Sequence, residues 1–264
     1  MKFYSRNIAV GCSHNCTYCY ARQNALEKGE IRSVEEWAIE RVLTEKVNEV
    51  QRKSPGVIYK FPTHHDITPA LLPPSLTFIG NLLLAGNEVR ICTKPHLECI
   101  RAICDEFRGY KEKLEFDMTI TTLDEHRSRL FEPGAPLPQE RLAALRYASG
   151  QGFKCSVNIE PLLDAEVNTS ILIERVYPDV LGMITIGKMV NVRRRLVMND
   201  VQKTGAKQLL DLIDSKECLK ALDRRYGGII RESGEPIISF TIPTLEVVDP
   251  EKAAMNKETM RLLA

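Results

Sequence analysis

Residues 11–22 read GCSHNCTYCYAR and place three thiols, Cys12, Cys16 and Cys19, at C-x3-C-x2-C spacing. Thiolates are soft ligands that select zinc, copper(I) or iron–sulfur clusters. A loop with three of them suits a cluster whose fourth metal corner stays free for chemistry. Two plainer readings stand beside it: a structural zinc site completed by His14 or a distant cysteine, and a loop with chance thiols. Structural zinc usually shows four ligands in two paired clips, so the spacing leans toward the cluster.

The flanking sequence decides what carries this loop. Ile8, Ala9 and Val10 form a short apolar run that predicts a first strand feeding it. Beyond it, Ser33 is followed by Glu35 and Glu36, and Trp37, Ile39, Val42, Leu43 and Val47 recur at helical spacing, which predicts a long helix. Ser54-Pro55-Gly56 breaks the chain, and residues 57–61 read as a second strand ending at Pro62-Thr63-His64-His65-Asp66. From there helices predicted over 71–85, 96–108, 139–149 and 171–177 alternate with strands over 89–93, 114–121, 155–159 and 180–186. Six strands alternating with helices imply parallel βαβ units. The expected fold is therefore α/β, a (β/α)6 partial TIM-type barrel with ligands at the C-terminal ends of its strands.

After Gly187 the pattern is less regular, with a helix expected over 207–222, a last strand over 237–240 and a terminal helix over 250–263. The predicted organisation is a core of residues 1–195 and an extension of residues 196–264 packed on it.

Strand periodicity makes the barrel testable. In the fourth strand Phe116, Met118 and Ile120 share one face and Asp117, Thr119 and Thr121 the other; in the fifth, Cys155, Val157 and Ile159 oppose Ser156, Asn158 and Glu160. Strands of a parallel sheet are usually covered on both faces. A polar inner face thus predicts a lumen that holds a ligand, the alternative being a solvated face.

Composition bounds the partners. The chain has 264 residues with 36 Lys and Arg against 35 Asp and Glu, so no global field argues for nucleic acid, membrane or an acidic partner. The basic stretch of Lys188 with Arg193, Arg194 and Arg195 could clamp phosphate or simply be a solvated face. Eight cysteines in so long a chain, three of them crowded together, fit a reducing cytoplasm better than a disulfide scaffold. The first ten residues, MKFYSRNIAV, lack an apolar signal core, and no run approaches the roughly 20 apolar residues that span a bilayer. A cytoplasmic protein without membrane contact is expected.

The loop spacing, the aromatic beside the last cysteine and the six β/α units together resemble the radical S-adenosylmethionine superfamily. Within it, TYCYAR, the Thr93-Lys94 pair, ITTLDEHRSRLFEPGAPLPQERLAAL from 120 to 145 and Asn158-Ile159-Glu160-Pro161 are similar to the branch of spore photoproduct lyase. The resemblance spans about residues 5–190. It implies that Cys12, Cys16 and Cys19 hold three irons of a [4Fe–4S] cluster, the fourth iron taking the amino and carboxylate groups of S-adenosylmethionine. Reductive cleavage of that cofactor would then yield a 5′-deoxyadenosyl radical that abstracts hydrogen from a substrate.

The same resemblance implies roles for single residues. Tyr18 would pack near the adenine, Lys94 meet the methionine carboxylate, Thr119 lie near the cofactor and Glu160 mark a backbone contact to it. Each has a plain alternative as a surface aromatic, a solvated lysine or a filler. Where the lyases carry a cysteine hydrogen donor and, two residues on, a serine, this chain has Thr63 and His65. His65 is accordingly expected beside the cofactor, while a metal-ligand role for His64 or His65 has no supporting spacing. Cys92 shares a strand face with Lys94 and is expected near the lumen as a hydrogen donor or a supporting group, the alternative being a small buried hydrophobe. The other thiols, Cys99, Cys104, Cys155 and Cys218, are expected to be structural.

The substrate is left open as a small molecule or nucleotide, and an external one-electron reductant of flavodoxin or ferredoxin type is implied. The alternatives kept are a nucleic-acid lyase or repair enzyme and, from another class, a zinc-stabilised binding module.

Overall fold

The computed structural model describes residues 2–189, 195–198, 216–227 and 237–241. In chain order its strands are β1 (Lys2–Ser5), β2 (Ala9–Val10), β3 (Arg41–Val42), β4 (Val57–Phe61), β5 (Glu88–Thr93), β6 (Leu114–Thr119), β7 (Lys154–Ile159), β8 (Ile184–Gly187) and β9 (Ile238–Thr241). The α-helices are α1 (Tyr20–Glu27), α2 (Thr44–Val47), α3 (Leu72–Leu84), α4 (Leu97–Glu106), α5 (Glu125–Phe131), α6 (Pro138–Gly150), α7 (Glu166–Val176) and α8 (Lys216–Tyr226). Among the described residues seven strands form one parallel sheet in the order β1-β4-β5-β6-β7-β8-β9, and β2 pairs with β3 in a small antiparallel ribbon.

The expected α/β partial barrel is present, and the alternation of strand residues explains its layers. Phe116, Met118, Val157 and Ile159 are fully buried in the main core with residues of α3, α4, α6 and α7. Each such side chain contributes on the order of 1.5–3 kcal/mol when removed from water. Asp117, Thr119, Asn158 and Glu160 face the other way and line a cavity at the strand ends. The polar inner face is therefore a lumen. Register keeps these residues adjacent: Cys92 pairs with Asp117, and Thr119 with Asn158.

Several elements differ from the sequence reading, each for a physical reason. The first barrel strand is Lys2–Ser5, parallel to β4, and not residues 8–10. It is an edge strand with every residue exposed, so it carries no apolar alternation to read. The long helix expected after Ser33 is replaced by a short 3-10 turn over Glu35–Ala38, β3 and the four-residue α2. Trp37 and Val47 are buried in two different clusters while Ile39 is 70% exposed, so the apparent apolar stripe does not face one core. Instead the segment straps the cysteine loop: Cys12 N–H donates to the Trp37 carbonyl at 2.7 Å and Leu43 N–H to that of Ile8 at 2.7 Å.

The helix after the loop is α1, beginning immediately behind Cys19. The sequence reading also passed over α5, which is capped by the Asp124 side chain accepting from Arg127 N–H. The last strand expected over 237–240 is present as Ile238–Thr241, and it joins the main sheet beside β8 as a seventh strand. Part of the helix expected over 207–222 and all of that over 250–263 lie outside the described residues.

Candidate active site

The cysteine loop is pinned from several sides. Gly11 has φ +95°, the left-handed region that suits glycine, and a Cβ there would strike the Ile39 carbonyl. Thr17 N–H donates to Phe131 O at 2.8 Å, Gly134 N–H to His14 O at 3.0 Å and Val197 N–H to Thr17 O at 2.9 Å. Within the loop, buried Arg22 donates to Thr17 O at 2.9 Å and to Asn15 Oδ1 at 3.0 Å. Cys12 and Cys16 are buried and Cys19 half-buried, and all three line one cavity of about 380 Å³.

Burial pushes the Cys16 thiol up to about 12 and Cys12 well above its ordinary value; Lys94 draws Cys16 back in part. Three thiolates in so apolar a setting need a large compensating positive charge, which a bound metal cluster supplies. Cys19 also sits at the N-cap position of α1, where the helix dipole favours negative charge. Among the described residues, no three His, Cys, Asp or Glu side chains converge as they would around a single ion. Three thiols lining one cavity, with Lys94 beside Cys16, match the donor set of a [4Fe–4S] cluster, one thiolate for each of three irons.

His14, the expected fourth ligand of the zinc reading, is committed elsewhere. Its Nδ1 lies 3.1 Å from Asp66 Oδ2 and its Nε2 2.9 Å from His96 Nε2. Asp66 also accepts from Ile67 N–H at 2.8 Å, from Lys94 N–H at 2.9 Å and from the Thr93 hydroxyl. Burial alone would raise this carboxyl; His14, Lys94 and Thr93 outweigh it and hold Asp66 well below the usual carboxylate range. Asp66 thus ties the ends of β4 and β5 to the cysteine loop.

Both neighbouring histidines line the cavity. His65 is buried, with Nε2 accepting from Ile8 N–H at 3.1 Å and Nδ1 on Asp66 O at 2.9 Å, so both ring nitrogens are engaged by backbone. His64 is half-buried and meets the Tyr20 ring edge-on at 5.9 Å.

On the opposite wall Lys94 Nζ stands 5.6 Å over the Tyr18 ring and 4.0 Å from Glu132. Glu132 is 1% exposed and gathers the Tyr18 hydroxyl, the Thr121 hydroxyl at 3.0 Å and the Arg141 guanidinium at 2.6 Å. Burial opposes charge at Lys94, yet Cys16, Glu132 and Asp66 hold its pKa above the ordinary lysine value. Sequence reasoning missed Glu132 and Arg141, although both lie in the quoted 120–145 stretch. Their only signal was charge inside a stretch whose aliphatic and aromatic neighbours are buried.

The far lumen holds Lys60, Cys92, Asp117, Thr119, Asn158, Glu160, Lys188 and Arg195. Asn158 Oδ1 is buried without a partner, an acceptor left over for a ligand. Burial raises Glu160, and Arg195 draws it back. Arg195 also stands 5.4 Å over the Tyr20 ring; Arg193 and Arg194 lie outside the described residues. Burial pushes the Cys92 thiol up to about 12, with Asp117 adding to it. Cys99, Cys104, Cys155 and Cys218 belong to the main core, as expected of structural thiols.

Comparison with known proteins bears on this arrangement. A protein of Acidianus two-tailed virus, called uncharacterized protein ORF301, is 28% identical over 170 residues, covering 60% of this chain. The match takes in 56% of that relative's own length. Spore photoproduct lyase complexed with dinucleoside spore photoproduct has a similar structure, with TM-score 0.53 and 17% identity, over 90% of this chain and 75% of the lyase. Streptococcus suis SuiB bound to precursor peptide SuiA follows with TM-score 0.50 and 11% identity over 74% of this chain and 40% of SuiB. At such identities these structures speak to the fold alone. The family model described as Radical SAM superfamily matches residues 7–164, which span the cysteine loop, the Asp66 and Glu132 networks and the lumen residues up to Glu160: the chain belongs to the radical SAM superfamily.

Proposed function

We propose that this chain is a radical S-adenosylmethionine enzyme acting on a substrate held in the lumen of the partial barrel. The observation that carries the reading is the convergence of Cys12, Cys16 and Cys19 on the cavity that Lys94, Thr119 and Asn158 also line. When bound, a [4Fe–4S] cluster with S-adenosylmethionine would supply an electron to the carbon–sulfur bond, giving methionine and a 5′-deoxyadenosyl radical.

The chain's own residues then hold and orient. Cys12, Cys16 and Cys19 would ligate three irons. Lys94, fixed between Tyr18 and Glu132, presents its ammonium to the methionine carboxylate. Tyr18 lends its ring to the adenine side, Thr119 and Glu160 line the cofactor's path, and His65 fixes the cavity floor through its backbone bonds. Cys92 stands in the lumen as a protonated thiol, the form that can give up a hydrogen atom.

The substrate is a small molecule or nucleotide, and the electron comes from an external flavodoxin- or ferredoxin-type donor. A cytoplasmic setting agrees with eight free cysteines, and no helix among the described residues is long and apolar enough to cross a membrane. Residues 196–264 form an extension of the core, whose described parts reach it through Arg225 and Tyr226 on Glu174, each 3.2 Å away, and through β9 on β8.

The test is anaerobic reconstitution with iron and sulfide, reduction, and chromatographic detection of 5′-deoxyadenosine from S-adenosylmethionine. Cys16→Ala is expected to lose iron loading and 5′-deoxyadenosine together. Stoichiometric zinc without sulfide, or product formation by the Cys16→Ala protein, would overturn the assignment.

A further inference from the structure

A second cavity, of about 280 Å³, adjoins the first and shares Ala21, Trp37 and His64 with it. Its walls come from four separate places: Arg6 behind β1, Asn24 and Lys28 at α1, the Trp37 turn, and Lys46 of α2. Two of the residues that line it carry a buried donor with no acceptor. Trp37 is 2% exposed and its Nε1 is unpartnered, as is the buried Nε of Arg6, whose guanidinium lies 5.3 Å over the Tyr59 ring. A buried N–H left unpaired is costly, and in native structures it usually marks a missing partner.

The charges around these donors agree with them. Among the described residues neither Arg6, Lys28 nor Lys46 forms an ion pair. Glu30 and Glu49 stand on the same rim, exposed and unpaired to these cations. After burial, Lys28 lowers the His64 pKa, Glu30 raises it and Lys46 lowers it, so the charges of both signs on this rim reach the shared wall. The cavity is lined by three cations, Arg6, Lys28 and Lys46, against two carboxylates, Glu30 and Glu49, and two of its lining residues carry unpartnered N–H groups. What belongs there must bring acceptors and negative charge from several directions at once, which a tetrahedral oxyanion does and a planar carboxylate does not.

We propose that this cavity is a phosphate subsite, in which a phosphate group of the substrate lodges among Arg6, Lys28, Trp37 and Lys46 while the reacting part passes His64 into the main lumen. The second half of that statement rests on the radical reading of the lumen; phosphate binding itself requires no cluster. A phosphorylated substrate would thereby be told from its unphosphorylated counterpart at a distance from the chemistry.

Trp37 is the single tryptophan of the chain, so its emission reports the wall the two cavities share, and the Lys60 and Arg195 variants separate the main cavity's contribution. The full chain, with and without its cluster, is titrated at constant ionic strength with inorganic phosphate, then with adenosine 5′-monophosphate and with adenosine. A saturable emission change is expected with the two phosphates and none with adenosine. Replacing both exposed lysines, Lys28→Ala with Lys46→Ala, is expected to weaken phosphate at least tenfold. Lys60→Ala and Arg195→Ala, which line only the main cavity, are expected to leave it within twofold. No saturable change, or a loss caused equally by Lys60→Ala or Arg195→Ala, would overturn the subsite. Failure here with 5′-deoxyadenosine still formed removes the subsite alone, whereas phosphate binding without 5′-deoxyadenosine formation removes the radical reading and keeps the anion site.

Discussion

Glu132 shows how much of this site depends on one carboxylate far from the loop in sequence. It joins Tyr18 across 114 residues of chain, holds Arg141 at 2.6 Å and stands 4.0 Å from Lys94. Replacing it by glutamine keeps the shape but leaves the Arg141 guanidinium buried without its counter-ion. Breaking such a pair from one side costs about 3–5 kcal/mol, so Glu132→Gln is expected to shift the denaturation midpoint markedly downward. It should also weaken S-adenosylmethionine binding, read by equilibrium dialysis, because Tyr18 and Lys94 lose their anchor. A midpoint within experimental error of the parent would show that the network is not structural. Cys92 makes a second prediction at this scale. With its pKa pushed up to about 12, the thiol stays protonated at neutral pH. Its thiolate fraction at pH 8 is on the order of 10⁻⁴, so alkylation by iodoacetamide should be slow there and rise about tenfold per pH unit up to pH 11. Fast labelling at pH 8 would contradict the burial that places Cys92 in the lumen. The two residues were not equally legible. Cys92 announced its face by strand alternation with Lys94, while Glu132 and Arg141 gain meaning only from contacts the chain makes after folding.

At the scale of elements, the cysteine loop is held by segments that sequence periodicity cannot read. Spacing alone revealed the three thiols, because ligand geometry is written locally. The clamp around them is not local: it uses Trp37, Phe131, Gly134 and Val197 carbonyls or N–H groups, drawn from a 3-10 turn, the end of α5 and two loops. Backbone contacts leave no residue-type signature, which is why the Ser33–Val47 region looked like a helix and folds as a strap. Gly134, like Gly11, is a point where this clamp leaves no room for a Cβ. A Cβ added there would meet the Ser13 carbonyl, one residue behind Cys12 in the loop. Gly134→Ala must therefore push the loop or the 132–135 segment aside, at about 1–3 kcal/mol as for other overpacked sites. The expected result is a clear fall in iron bound per chain after reconstitution, with the far-ultraviolet spectrum unchanged. Full iron loading would mean that the loop does not need this support.

Across the whole molecule, the inner strands were readable and the edges were not. Strands β4 to β8 are covered on both sides, so their apolar residues alternate with lumen residues and the pattern survives in sequence. The edge strand β1 exposes Phe3 and Tyr4 to about half, and at the other edge β9 follows a stretch outside the described residues. Yet β9 is integral to the sheet: Ile238 pairs with Ile184, is 3% exposed and belongs to the main core, although it lies more than 70 residues beyond the family match at 7–164. This gives a test of whether the extension is part of the cooperative unit. A buried isoleucine cut to alanine costs about 2–5 kcal/mol where its surroundings cannot collapse. Ile184→Ala, inside the barrel, sets the reference for this sheet. If β9 folds with the barrel, Ile238→Ala should cost a similar amount in a single denaturation transition, and the two changes together should couple because the residues touch. If the extension is a separate unit, Ile238→Ala will leave the main transition unmoved, or split it in two. The first outcome is expected, since without β9 the Ile184 and Ile186 backbone would form a bare edge beside the lumen that holds Glu160 and Lys188.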